Sequence, residues 1–152
     1  MSRRSLRAAL LLALPLAFAT AGAGAAGADF RSLAEPAILY DGPSKQAKPL
    51  YIIQRLTPVE VITTSDRWVK VREPAGNLLW LERRQLADKR TIIISAARSE
   101  IRQKPDASSA LVFEAARDVV LELLDKPADG WVKVRHRDGA SGYVRVSQIW
   151  GL

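Results

Sequence analysis

Cysteine is absent from the 152 residues, and histidine and methionine occur once each. Without cysteine there is no disulfide, no thiolate nucleophile, no cysteine-ligated zinc and no cysteine-anchored lipid. A single histidine excludes a multi-histidine metal cage, and neither a metal nor any other cofactor is expected. Long runs of one charge sign are missing as well. Of 23 basic residues, Arg3, Arg4 and Arg7 lie at the extreme N-terminus, leaving 20 basic against 16 acidic residues in the rest. The two signs are interleaved there, a mildly basic mixed surface and not the basic stripe that nucleic acid or an anionic membrane selects. Beyond the N-terminal region no stretch is long and apolar enough to span a bilayer. What is present is 48% hydrophobic and 26% charged residues, the make-up of a folded globular protein.

The N-terminal 28 residues read as an export signal. Arg3, Arg4 and Arg7 form a positive start, Ala8 to Ala19 is an apolar stretch, and a tract of small residues runs from Ala21 to Ala28. Ala26 and Ala28 occupy the two small-residue places of a peptidase site, which puts the cut before Asp29. An apolar run of about 12 residues is too short for a hydrocarbon core of ~30 Å. Arg3-Arg4 resembles a twin-arginine pattern, but Arg7 stands where an apolar residue is preferred, which favours the general secretory route. The expected product is residues 29–152, a periplasmic or secreted protein with no membrane span.

Within that product the chain repeats itself. Trp68-Val69-Lys70-Val71-Arg72 recurs as Trp131-Val132-Lys133-Val134-Arg135 at an offset of 63. At the same offset Gly76 meets Gly139, Trp80-Leu81 meets Tyr143-Val144 and Gln85-Leu86 meets Gln148-Ile149. Upstream the offset is 62: Val59-Glu60-Val61-Ile62 meets Leu121-Glu122-Leu123-Leu124, Leu39 meets Ile101, and Pro43 meets Pro105. One inserted residue in the turn Lys126–Gly130 accounts for the change. An order-preserving match over several blocks marks a duplicated unit, giving two domains, 29–88 and 89–152.

Each unit reads as short strands. Val59–Ile62, Trp68–Arg72, Leu121–Leu123 and Val132–Arg135 alternate apolar and polar, the period of a strand with one buried face. Asp138-Gly139 supplies the positive φ of a tight hairpin, and Asp41-Gly42-Pro43-Ser44 and Lys104-Pro105-Asp106 punctuate the start of each unit. Ser109 to Val120 has a helical alternative, but its counterpart Leu50-Tyr51-Ile52-Ile53 is β-rich, so Leu111-Val112-Phe113 is read as a strand. The predicted fold is all-β: five short strands per unit, closed into a small barrel because an open sheet of that size has no useful core.

These residues resemble a known family. Ser99-x-Ile101-Arg102-x-x-Pro105, Val119-x-Leu121-x-Leu123, Gly130-Trp131-Val132-Lys133-Val134 and Gly139-x-x-Gly142-Tyr143-Val144 are similar to bacterial Src-homology-3 (SH3-like) domains. The first unit is similar to the same family more loosely, with Leu79 in place of the glycine before Trp80. The resemblance implies two SH3-like barrels in tandem, each a non-enzymatic binding module with a shallow groove for peptides or cell-wall fragments. Relatives are often appended to wall hydrolases, which they help to hold on peptidoglycan.

Trp68 and Trp131 open equivalent strands after a loop. The resemblance implies a ring across the groove floor; a tryptophan that merely covers the barrel edge is the alternative, and the sequence leaves both open. Tyr40, in Ile38-Leu39-Tyr40-Asp41, is similar to the start of the alanine-leucine-tyrosine-aspartate motif of eukaryotic members, whereas the second unit has Arg102 there. Arg145 and Gln148 stand where a proline and tyrosine would line the eukaryotic groove, so polyproline stacking is not expected. Arg102 and Arg145 point instead to a polar or anionic ligand. The candidate ligand-binding residues are thus Tyr40, Trp68, Arg102, Trp131 and Arg145, and no catalytic or metal residue is singled out. Trp80 and Tyr143 are expected in the core, His136 in a solvated turn, and Lys89-Arg90 in a solvated linker. The expected ligands are peptidoglycan stem peptides or envelope peptides. The alternative is an assembly or adaptor factor in the periplasm with no wall ligand.

Overall fold

A computed structural model describes residues 27–152; all but the last two residues of the expected signal segment lie outside them. Two antiparallel sheets follow one another along the chain. The first comprises β1 (Asp29–Leu33), β2 (Ala37–Tyr40), β3 (Pro49–Ile53), β4 (Pro58–Ser65), β5 (Trp68–Arg72), β6 (Leu78–Glu82) and β7 (Leu86–Ala87), with a 3-10 turn at Arg83–Gln85. The second comprises β8 (Thr91–Ile94), β9 (Arg98–Arg102), β10 (Leu111–Ala116), β11 (Val120–Leu123), β12 (Trp131–Arg135), β13 (Ser141–Arg145) and β14 (Ile149–Trp150), with the equivalent turn at Val146–Gln148. Strand order is β3-β2-β6-β5-β4-β1-β7 in one and β10-β9-β13-β12-β11-β8-β14 in the other, the same path twice. To the five strands read from each repeat, the fold adds a leading strand and a two-residue closing strand.

The alternation sets the packing. Val69 and Val71 point inward from β5, as Val132 and Val134 do from β12, while Lys70 and Lys133 point outward. Leu33, Leu39, Ile53, Val59, Val69, Val71, Leu79 and Leu81 form one buried cluster drawn from six of the seven strands. Strands three and one are far apart in the sheet order yet share this cluster, so the sheet curls on itself and encloses its core. Ile92, Ile94, Ile101, Leu121, Val132, Val134 and Val144 form the counterpart in the second barrel.

The backbone repeats with the sequence. Leu56 and Asp118 have φ of 67° and 68°, Asp66 and Asp129 have 53° and 51°, and Gly76 and Gly139 have 95° and 98°. The Asp66/Asp129 pair is spaced by 63 and the Leu56/Asp118 pair by 62, which brackets the inserted residue between β11 and β12.

Leu79 and Gly142 are equivalent but meet different surroundings. A Cβ on Gly142 would lie 2.6 Å from both the Arg102 carbonyl oxygen and the Ile101 side chain. In the first barrel the Leu79 side chain is buried in the core, and both barrels keep the same single pairing beside it, Tyr40 with Trp80 and Tyr143 with Arg102.

Three sequence expectations are corrected. Trp80 and Tyr143 are half-buried on the outer face, because Leu79, Leu81, Gly142 and Val144 take the inward phase; Lys70 and Lys133 lie over their rings at 5.9 and 6.0 Å. Arg90 is not solvated linker: its guanidinium lies 5.9 Å from the Phe30 ring centre and donates to the Gly151 carbonyl at 3.0 Å. His136 is partly buried beside Phe113, 5.8 Å between ring centres, and pairs with Asp138 at 3.0 Å. The link between barrels is only residues 88–90. Phe30 meets Trp150 edge-on at 5.0 Å, and Thr91 Oγ1 donates to the Leu56 carbonyl at 2.7 Å across the junction.

Candidate functional site

The second barrel carries a groove of about 260 Å³ on its outer face. Strand β9 supplies Arg98, Glu100 and Arg102 by its two-residue period. β10 sets Glu114 directly opposite Glu100, and β12 and β13 pair Trp131 with Arg145. Gln148, in the 3-10 turn, completes the rim.

Most of these charges are partnered. Arg102 forms an ion pair with Glu100 and also donates from Nη1 to the Ser109 carbonyl at 2.8 Å, which ties the β9–β10 loop to the groove. Arg98 reaches Glu114 at 3.3 Å. Arg145 has no carboxylate partner among the described residues; its guanidinium lies 4.6 Å above the centre of the Trp131 ring. Such stacking suits a planar, weakly hydrated cation and leaves its edge N–H donors free. Trp131 is 9% exposed, a buried platform beneath a cation and not an open floor.

The equivalent place in the first barrel has different chemistry. Tyr40 stands where Arg102 is, and its ring meets Trp68 edge-on at 5.4 Å. Glu82 stands where Arg145 is, opposite Trp68, and takes Arg84 at 2.9 Å and Lys45 at 3.3 Å. Hydrogen bonding from Arg84, and secondarily from Lys45, holds the Glu82 carboxyl below the usual glutamate range. Ile38 and Ile52 replace Glu100 and Glu114 as a facing pair, and they are 40% and 60% exposed.

The structure thus brings Arg102, Trp131 and Arg145 together in one groove and Tyr40 and Trp68 in its counterpart. Sequence reasoning missed Arg98, Glu100 and Glu114, and in the first barrel Ile38, Lys45, Ile52 and Glu82. The signal was present in part: Arg98-x-Glu100-x-Arg102 has the period of a strand with one charged face.

A family model for the bacterial SH3 domain matches the chain twice, over residues 34–88 and 95–151. A comparison with curated proteins finds no match. Among solved structures, the chain is similar to NlpC2 from Trichomonas vaginalis, at 16% identity and a TM-score of 0.36, over 81% of this chain and 48% of that one. It is similar too to NlpC1 from Trichomonas vaginalis, at 17% identity and a TM-score of 0.37, over 80% of this chain and 45% of that one. The chain spans about half the length of these two structures. With the family matched over most of the described residues, and the same strand path built twice, the protein belongs to the bacterial SH3 domain family and carries two such domains in tandem.

Proposed function

We propose that the protein is exported and acts as a non-enzymatic binding module, its second barrel taking short envelope peptides, peptidoglycan stem peptides foremost. The observation that carries the reading is the uncompensated Arg145 guanidinium, stacked on Trp131 in a groove that also holds Glu100 and Glu114. A peptide bearing free carboxylates and a free amine finds a donor fork for the former and acidic side chains for the latter. The cations are arginines, which stay protonated and suit holding charge more than transferring protons. Export is supported by the tripartite leader, and β1 begins at Asp29, so cleavage at the expected site leaves that strand whole.

The test is a pull-down of residues 29–152, which contain all fourteen strands of the described residues, on purified sacculi at low and high salt. Saturable binding that weakens with salt and falls about tenfold or more in Arg145→Ala, with circular dichroism unchanged, is expected. Trp68→Ala is expected to bind as the parent does. Failure of the folded parent to bind sacculi overturns the wall reading.

A second reading, an adaptor that docks another envelope protein, is favoured by the exposed Ile38–Ile52 pair on the first barrel. It predicts salt-tolerant association that Ile38→Glu abolishes, with sacculus binding absent in the parent.

A further inference from the structure

A cleft of about 480 Å³ lies where the barrels meet, separate from both grooves. Arg55 and Leu56 line it from the β3–β4 loop, Lys89 from the linker, Glu122 from β11, and Arg135 and Arg137 from the end of β12 and its hairpin. The Thr91–Leu56 hydrogen bond joins two of its lining residues, one from each barrel.

Its charges do not balance. Glu122, the one carboxylate of the lining, is shared between Arg135 at 2.9 Å and Lys89 at 3.3 Å. Arg55 donates to the neutral carbonyl of Ala34 at 3.1 Å, and Arg137 has no ion pair among the described residues. Four permanent cations therefore face one anion, in a concave setting that concentrates their potential.

A second, independent observation comes from the repeat. Asp118 takes a left-handed backbone conformation that suits aspartate; its equivalent in the cleft is Leu56, with φ 67°. Leucine there is strained, roughly 1 kcal/mol or more. The position that is acidic in the second barrel is apolar in the cleft, where an acid would put a carboxylate among the arginines.

We propose that this inter-barrel cleft is a binding site for a multiply charged phosphate group. A tetrahedral oxyanion of charge near −2 offers several acceptor oxygens to separate guanidinium forks. The phosphate comes either from a soluble phosphate chain or from a lipid headgroup.

The test is calorimetric titration of residues 29–152 with tripolyphosphate, beside co-sedimentation with phosphatidate vesicles, whose headgroup is a phosphomonoester, both at low salt. Three variants accompany the parent: Leu56→Asp, the double change Arg55→Gln with Arg137→Gln, and Arg145→Ala. Saturable binding is expected, reduced tenfold or more by the first two and unchanged by Arg145→Ala. Leu56→Asp is informative because aspartate suits its backbone, so lost binding there is not lost folding. Binding of tripolyphosphate assigns a soluble phosphate chain; binding of vesicles alone, lost in the double variant, assigns a headgroup. No saturable binding of either probe overturns the proposal, as does binding that survives both cleft variants or falls equally in Arg145→Ala.

Discussion

The two barrels share a strand order, their left-handed turn positions and a tryptophan at the head of the same strand, yet their outer grooves have nearly opposite chemistry. Arg102, Glu100, Glu114 and Arg145 of the second barrel correspond to Tyr40, Ile38, Ile52 and Glu82 of the first. Most inward positions kept a large apolar side chain, Leu79/Gly142 and Ile53/Ala115 being exceptions, because a core of this size tolerates few changes of volume. Outward positions were free to diverge, and they did so together: the facing pair Ile38–Ile52 became, or arose from, the facing pair Glu100–Glu114. The stacking cation follows the same rule. Arg145 covers Trp131, whereas Glu82 cannot stack on Trp68 and turns to Lys45 and Arg84. The divergence is concentrated on the outer face.

The comparison breaks most severely at Leu79 and Gly142. Copying the first barrel into the second with Gly142→Leu forces a side chain against the Arg102 carbonyl, and is expected to lose about 3 kcal/mol or more of stability. The reverse change, Leu79→Gly, empties part of the first core and is expected to cost about 3 kcal/mol. Denaturant unfolding of each variant checks both, and a neutral Gly142→Leu would show that the two hairpins are interchangeable.

Rewriting the second groove as the first, with Arg102→Tyr and Arg145→Glu, is expected to lower sacculus binding at least tenfold while near-native circular dichroism is kept. Retained binding would put the site elsewhere.

Acid sharpens the comparison further, since one glutamate in each barrel is held below the usual glutamate range. Glu82 is stabilised by Arg84, then Lys45; Glu122 by Arg135, then Lys89. A depressed folded-state value means stability that is present above the ordinary glutamate pKa and is lost as pH falls through the lowered one. Each is worth about 1 kcal/mol at most on a solvent-facing strand. Thermal unfolding from pH 7 to pH 3 should show Glu82→Gln and Glu122→Gln each flattening the acid side of the curve and leaving its slope above pH 6 unchanged.

The smallest expected effect is that of Arg145→Ala on folding, about 0.5 kcal/mol, with a red shift of tryptophan emission as the Trp131 ring is uncovered. Lys45→Ala should leave emission unchanged, because no cation lies over Trp68.

Much of the fold was legible because the repeat doubles every signal. The strands Trp68–Arg72 and Trp131–Arg135 alternate cleanly, and each supports the other. The leading strands were not read. Thr91–Ile94 is buried at all four positions and so has no alternation to detect, while Asp29–Leu33 abuts the expected leader. Arg90 reads as solvated linker in the sequence because its partners, Phe30 and Gly151, lie some sixty residues away on either side. Trp80 and Tyr143 read as core from their aligned mid-strand positions, although the phase set by Leu79 and Leu81 turns them outward. Of the site, the tryptophans and Arg102 and Arg145 were legible from the repeat and the family pattern. The stacking of Arg145 on Trp131 was not, since it follows from a cross-strand register that joins residues fourteen apart.

The claim that the grooves have parted in function is tested most directly by titrating a soluble stem-peptide fragment of peptidoglycan into isotope-labelled residues 29–152 and mapping amide shifts. The account predicts saturable shifts clustered at Arg98, Glu100, Arg102, Glu114, Trp131 and Arg145, with Ile38, Tyr40, Ile52, Trp68 and Glu82 still. Shifts centred on the first groove, or no saturable shifts in either, would contradict it.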